Sequence, residues 1–197
     1  GFIVGDAMGV PTEFCAREKL FKNPVTEMIG FGSHPVPLGS WSDDTSMTLA
    51  LIDSINNKKK IDYDDIMKNF TDWVKESKYT PIDRVFDIGR TCLRAIHNYR
   101  NMEPIKCGLT DINSNGNGSL MRILPLVYYI YYKNITDEKE IINIVNNMSS
   151  LTHGHEISLT YGCGTYFFGY ENGVLRNENN YISFRVPGAT RGGMKIV

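Results

Sequence analysis

Trp41-Ser42-Asp43-Asp44-Thr45-Ser46-Met47 sets two adjacent carboxylates among hydroxyl side chains, just ahead of a run at helical spacing: Met47, Ala50, Leu51, Ser54 and Ile55. The spacing predicts a helix from Asp43 to about Asn57, with hard oxygen donors crowded at its start. Such donors suit Mg²⁺, Mn²⁺ or Ca²⁺ better than zinc. Acidic residues also favour the first turn of an ordinary helix through its dipole, so the segment alone fits a plain helix start. Neighbouring anions repel and raise one pKa; a divalent cation removes that cost and keeps both ionised. Paired carboxylates can hold one ion or bridge two.

The pattern on either side is mainly helical. Asp62 caps a second helix with the stripe Ile66, Phe70, Trp73 and Val74. Thr80-Pro81, a hydroxyl followed by proline, predicts a helix start, continued by Ile82, Val85, Phe86, Cys92, Leu93 and Ile96 to about Tyr99. Residues 101–119 are loop-like. A helix is expected from about Leu120 to Tyr132, with Pro125 near its start, and another from an Asp137/Glu140 capping box through Met148. Residues 156–170 read as a short helix, and 171–197 are polar and glycine-containing. Alternation of period two is scarce before residue 180, and no repeat or linker divides the chain. One mostly α domain is the economical reading.

A chain of 197 residues holds one domain with a substantial core. Hydrophobic residues at 42% and charged residues at 22% are ordinary for a globular protein, and a net charge of -1 offers no general basic surface for nucleic acid. No apolar run approaches the ~20 residues that span a bilayer. Cys15, Cys92, Cys107 and Cys163 form no Cys-x-x-Cys pair, which argues against zinc-ribbon and thioredoxin sites. Free thiols and the lack of a signal-peptide pattern lead to a cytoplasmic expectation. The chain starts without methionine and ends without a visible helix stop, so a fragment or interrupted chain is expected.

Three further stretches carry chemistry. Gly5-Asp6-Ala7-Met8-Gly9 with Glu13 permits close helix packing, with Asp6 as an internal cap and Glu13 at the helix exit. Asn115-Gly116-Asn117-Gly118-Ser119 leads into a helix. Its N–H groups can cradle phosphate oxygens, with Arg122 adding charge, although Asn-Gly pairs also make plain turns. His153 and His155 lack a third nitrogen or sulfur ligand for a transition metal. A pocket-lining or merely satisfied histidine fits them better.

In this order the segments resemble the ADP-ribosylglycohydrolase family over Gly5 to about Gly169. Gly5-Asp6-Ala7-Met8-Gly9-x-Pro11-x-Glu13-Phe14 is similar to its opening motif, Ser42-Asp43-Asp44-Thr45 to its first metal motif, Gly116-Asn117-Gly118-Ser119-x-Met121-Arg122 to its ligand loop, and Thr152-His153 to a later pocket motif. The resemblance implies an all-α fold, a compact orthogonal helical bundle, with a binuclear Mg²⁺ or Mn²⁺ centre. It implies Ser42, Asp43 and Asp44 as metal ligands and Glu13 and Asp44 as catalytic residues. Gly116, Asn117, Gly118, Ser119 and Met121 would line the ADP-ribose, and His153 would sit near the distal ribose or adenosine. The substrate would be an ADP-ribosylated protein or a small ADP-ribosyl compound.

The family's closing Asp-x-Asp-Thr motif does not occur after residue 170. The expected organisation is therefore a partial family domain over 1–170 and an atypical segment over 171–197. Two other readings compete with the hydrolase. A truncated or non-catalytic member would bind ADP-ribose or serve a structural role. A terpenoid-synthase-type lyase would want a further Asp where Met47 stands.

Overall fold

The computed structural model describes residues 1–160. In chain order the helices are α1 (Phe2–Gly9), α2 (Arg17–Lys22), α3 (Asp43–Lys58), α4 (Tyr63–Glu76), α5 (Arg90–Asn98), α6 (Leu124–Tyr132) and α7 (Glu138–Ser150), with short 3₁₀ turns between some of them. Among the described residues there is no strand; Leu109 and His153 make an isolated bridge. The expected all-α class is what forms. The segment 171–197, assigned its own unit from the sequence, lies outside the described residues.

The expected α3–α4 pair forms around its caps. Ser42, in extended backbone, accepts the Asp44 N–H on its hydroxyl at 3.2 Å, and Asp62 accepts the Asp65 N–H at 3.1 Å. Lys59 and Ser77 close the two helices in left-handed conformation. Met47, Ala50 and Leu51 of α3 meet Ile66, Phe70 and Trp73 of α4, all at most 1% exposed. Each large side chain buried this way contributes roughly 1.5–3 kcal/mol before entropy is charged against it. The Asn69 amide donates to the Ala50 carbonyl at 3.1 Å and fixes the register of the pair. Leu126 and Ile130 of α6 and Val145 and Met148 of α7 complete the same core.

Three helix expectations change. The helix expected over 80–99 begins only at Arg90; residues 77–89 are irregular, with Tyr79, Asp83 and Asp87 at positive φ. Tertiary bonds outweigh the Thr80-Pro81 signal there. The Trp41 indole donates to the Tyr79 carbonyl at 3.0 Å, and the Tyr79 hydroxyl donates to Asp53 at 2.5 Å. The helix expected from Leu120 begins at Leu124, with Pro125 in its first turn and a turn over 118–122 ahead of it. Of the helix expected over 156–170, residues 156–160 are helical and the rest lie outside the described residues.

The expected close packing at Gly5 and Gly9 is absent, since a methyl group at either would meet nothing within 4 Å. Glycine is required instead at Gly108, where a Cβ would lie 2.3 Å from the Ser150 carbonyl oxygen. That close approach lets residues 108–109 bond to Ser150 and Thr152, seating the loop before Gly116 on the end of α7. Cys15, Cys92 and Cys107 are free thiols, and Cys163 lies outside the described residues.

Candidate active site

The start of α3 is held by a residue far away in sequence. The Asp6 carboxylate, on α1, accepts from the Ser42 N–H (3.1 Å), the Ser42 hydroxyl (2.7 Å), the Thr45 N–H (3.1 Å) and the Thr45 hydroxyl (2.6 Å). Asp6 thus satisfies orphan donors of the first turn that no residue of α3 reaches. The expected internal cap is instead a cap across two elements. Asp43 and Asp44 lie between the two residues it holds, Ser42 and Thr45.

Both carboxyls are pushed upward. Asp43, 7% exposed, stands well above the usual carboxylate range because burial removes water and Asp44 adds like charge. The Gly89 N–H, 3.4 Å from Asp43 Oδ2, opposes this weakly. Asp44 is raised to about 6 by burial and then by the Asp6 charge. Among the described residues, neither makes an ion pair with a lysine or arginine.

A second group adjoins the first. Glu13, ending the 3₁₀ turn after α1, lies 2.7 Å from His34 Nε2, and Asp87 Oδ2 lies 3.9 Å from the same nitrogen. Their donor atoms all fall within 4.8 Å of one another, a spacing suited to one cation. Glu13 is raised to about 7, first by burial and then by Asp87, with His34 pulling the other way. Asp87 also raises both Asp43 and Asp44 by its charge, so the two groups share one field. The sequence reading missed His34 and Asp87. Neither sits in a local pattern, and Asp87 lies in the stretch read as helix.

The glycine loop borders this cluster through Cys92 of α5. A Cβ on Gly118 would lie 2.6 Å from Cys92 Sγ and 2.8 Å from His153 Cε1. Burial raises the Cys92 thiol to about 11; the Arg122 charge lowers it and the Asp43 charge raises it, so the thiol senses both groups. Gly116 and Asn117 are exposed, while Gly118, Ser119 and Met121 are buried. The Asn117 carbonyl accepts from the Leu120 and Met121 amides.

His153 backs the loop: it is 1% exposed, with Nδ1 2.8 Å from the Thr152 hydroxyl. Burial, with the Arg122 charge, lowers it to about 3 and keeps the ring neutral. Arg122, expected to add charge to the loop, lies beneath it. It is fully buried, and its guanidinium donates to the Gly118 and Met148 carbonyls.

The folded chain is thus an all-helical protein that gathers oxygen donors at the start of one helix beside a glycine-rich loop. It belongs to the ADP-ribosylglycohydrolase family, whose model matches residues 1–181. It is 31% identical over 129 residues to ADP-ribosylarginine hydrolase Tri1 of Pseudomonas putida (strain GB-1), covering 66% of this chain and 34% of that one. It is 33% identical over 127 residues to ADP-ribosyl-dinitrogen reductase glycohydrolase of Rhodospirillum rubrum, covering 64% and 40%. A solved structure named as an ADP-ribosylglycohydrolase-related protein complex superposes with a TM-score of 0.67 at 30% identity, over 84% of this chain and 51% of that one. The chain therefore spans about a third to a half of the length of these relatives. No helix among the described residues is long and apolar enough to cross a membrane.

Proposed function

We propose that the protein hydrolyses the glycosidic bond of an ADP-ribosyl group, on a modified protein or a small compound, with Mg²⁺ or Mn²⁺ as cofactor. The observation that carries this reading is the pair Asp43–Asp44, the first buried and the second half-buried, without a cationic partner among the described residues and joined in one field to Glu13 and Asp87. Buried anions of this density are costly unless a cation compensates them, and the set offers hard oxygens without thiolate. These residues therefore fit a divalent ion. Asp43, Asp44 and the Ser42 hydroxyl would hold it, with Glu13 beside it; a second ion, which the resemblance implies, would draw on ligands beyond these. When bound, such an ion neutralises the cluster and acidifies water.

The chain's own groups suit the remaining work. Glu13, near 7, is matched to proton transfer at neutral pH. It accepts one proton from the attacking water and returns it to the leaving atom, as the bond from C1″ to that atom breaks. Asp44, kept ionised by a bound ion, would stabilise the positive charge developing on the ribose. Gly116, Asn117, Gly118, Ser119 and Met121 line the ADP-ribose, and the neutral His153 supports the loop without competing charge.

Arginine is the leaving group we favour. The names of two relatives support it, and a cluster of carboxylates complements a guanidinium. The free thiols support a reducing, cytoplasmic setting.

Calorimetric titration with ADP-ribose, with and without Mn²⁺ or Mg²⁺, tests the reading, followed by hydrolysis of ADP-ribosylated arginine. Metal-dependent binding is expected. A folded chain that binds neither ion nor ADP-ribose would favour the non-catalytic alternative.

A further inference from the structure

We infer that Arg122 is a positioning residue for the diphosphate of ADP-ribose, acting through the Gly118–Ser119 peptide and never touching phosphate. This rests on the reading that the glycine loop receives that diphosphate. Arg122 is 0% exposed, and among the described residues no carboxylate pairs with it and its Nε has no acceptor. One arm donates to the Gly118 carbonyl and the other to the Met148 carbonyl at 3.0 Å, with the guanidinium 5.3 Å from the Phe70 ring centroid. Burying a cation without a counter-ion costs several kcal/mol, where a methionine of similar length would cost none of it. A compensating use of the charge is therefore called for.

The geometry supplies two. In a trans peptide the carbonyl and the following N–H point in opposite directions. Drawing the Gly118 carbonyl toward Arg122 turns the Ser119 N–H away from it. Among the described residues, the amides of Gly116, Asn117, Gly118 and Ser119 donate to no acceptor. That leaves a row of donors for an anion. The second use is the field. Burial lowers Arg122 only to about 10, so it stays charged at neutral pH beneath the loop. The walls pressed against Gly118, Cys92 and His153, are both uncharged there.

Arg122→Lys keeps a charge but cannot bridge two carbonyls, and Arg122→Met removes the charge as well. In the full chain, Arg122→Lys should weaken ADP-ribose binding about tenfold and Arg122→Met more, as expected for losing charge-assisted bonds. Mn²⁺ binding at the carboxylates should stay as in the parent, whereas a fold merely loosened would lose both. A folded Arg122→Lys that binds ADP-ribose like the parent overturns the inference, as does a matching fall in Mn²⁺ affinity. Should both variants unfold, amide exchange on the unmodified protein decides: ADP-ribose should protect the Ser119 N–H and adenosine should not. Equal effects of the two ligands refute the role. An unmodified protein that binds no ADP-ribose at all refutes the loop reading itself, a result separate from either variant's.

Discussion

Asp43 carries the sharpest conflict between folding and chemistry. Its charge is buried beside like charge, which a cation-free protein tolerates poorly. Asp43→Asn removes that charge without changing shape. The metal-free variant should melt above the metal-free parent, lose turnover, and show no rise in thermal midpoint on adding Mn²⁺; scanning calorimetry in both conditions reads this directly. Gly118→Val should abolish ADP-ribose binding, because even its first carbon would overlap Cys92 and His153. Titration calorimetry checks it, and retained affinity would show that the loop is not where the ligand lies.

His153 gives a pH prediction with a definite sign. Its folded pKa of about 3 lies below the 6.5 of an exposed histidine. Between those values the unfolded chain binds a proton that the fold refuses, so stability is full above pH 6.5 and falls as pH drops toward 3. At pH 5 the loss is about 2 kcal/mol from this residue. Urea unfolding at pH 7 and pH 5 of the parent and of His153→Gln isolates it: on going to pH 5 the parent should lose about 2 kcal/mol relative to the variant, since the raised Glu13, Asp43 and Asp44 act in the opposite direction in both proteins.

At the scale of elements, the decisive device is the cap that α1 provides for α3. Asp6→Ala leaves four donors of Ser42 and Thr45 without their acceptor, and should cost about 2–4 kcal/mol by the measure of charged hydrogen bonds. Denaturant titration measures that loss, and Mn²⁺ affinity should fall with it. The helices α3 and α4 were legible in sequence because cap, first-turn acids and apolar stripe agree within one segment. Segment 77–89 was not. Its left-handed residues are Ser77, Tyr79, Asp83 and Asp87 rather than glycines, and bonds to Trp41 and Asp53 hold it in place.

The site divides along the same line. Glu13, Asp43, Asp44 and the Gly116–Ser119 loop stood out by local pattern. His34 and Asp87 join them only through folding. Arg122 was read as adding charge to the loop; that it does so from beneath, packed against Phe70 and two carbonyls, is set by the fold.

At the scale of the whole molecule, the site is closed by long-range bonds. Asp6 reaches Ser42 across 36 positions, Glu13 reaches His34 across 21, and Gly89 reaches Asp43 across 46. The chemistry of folding rates follows from this. Each bond waits on a loop whose closure entropy is spent before any contact forms, so the carboxylates converge late, after the α3–α4 hairpin. A divalent ion then has nothing to grip in a partly folded chain. Added during refolding, it should slow unfolding while leaving the folding rate unchanged.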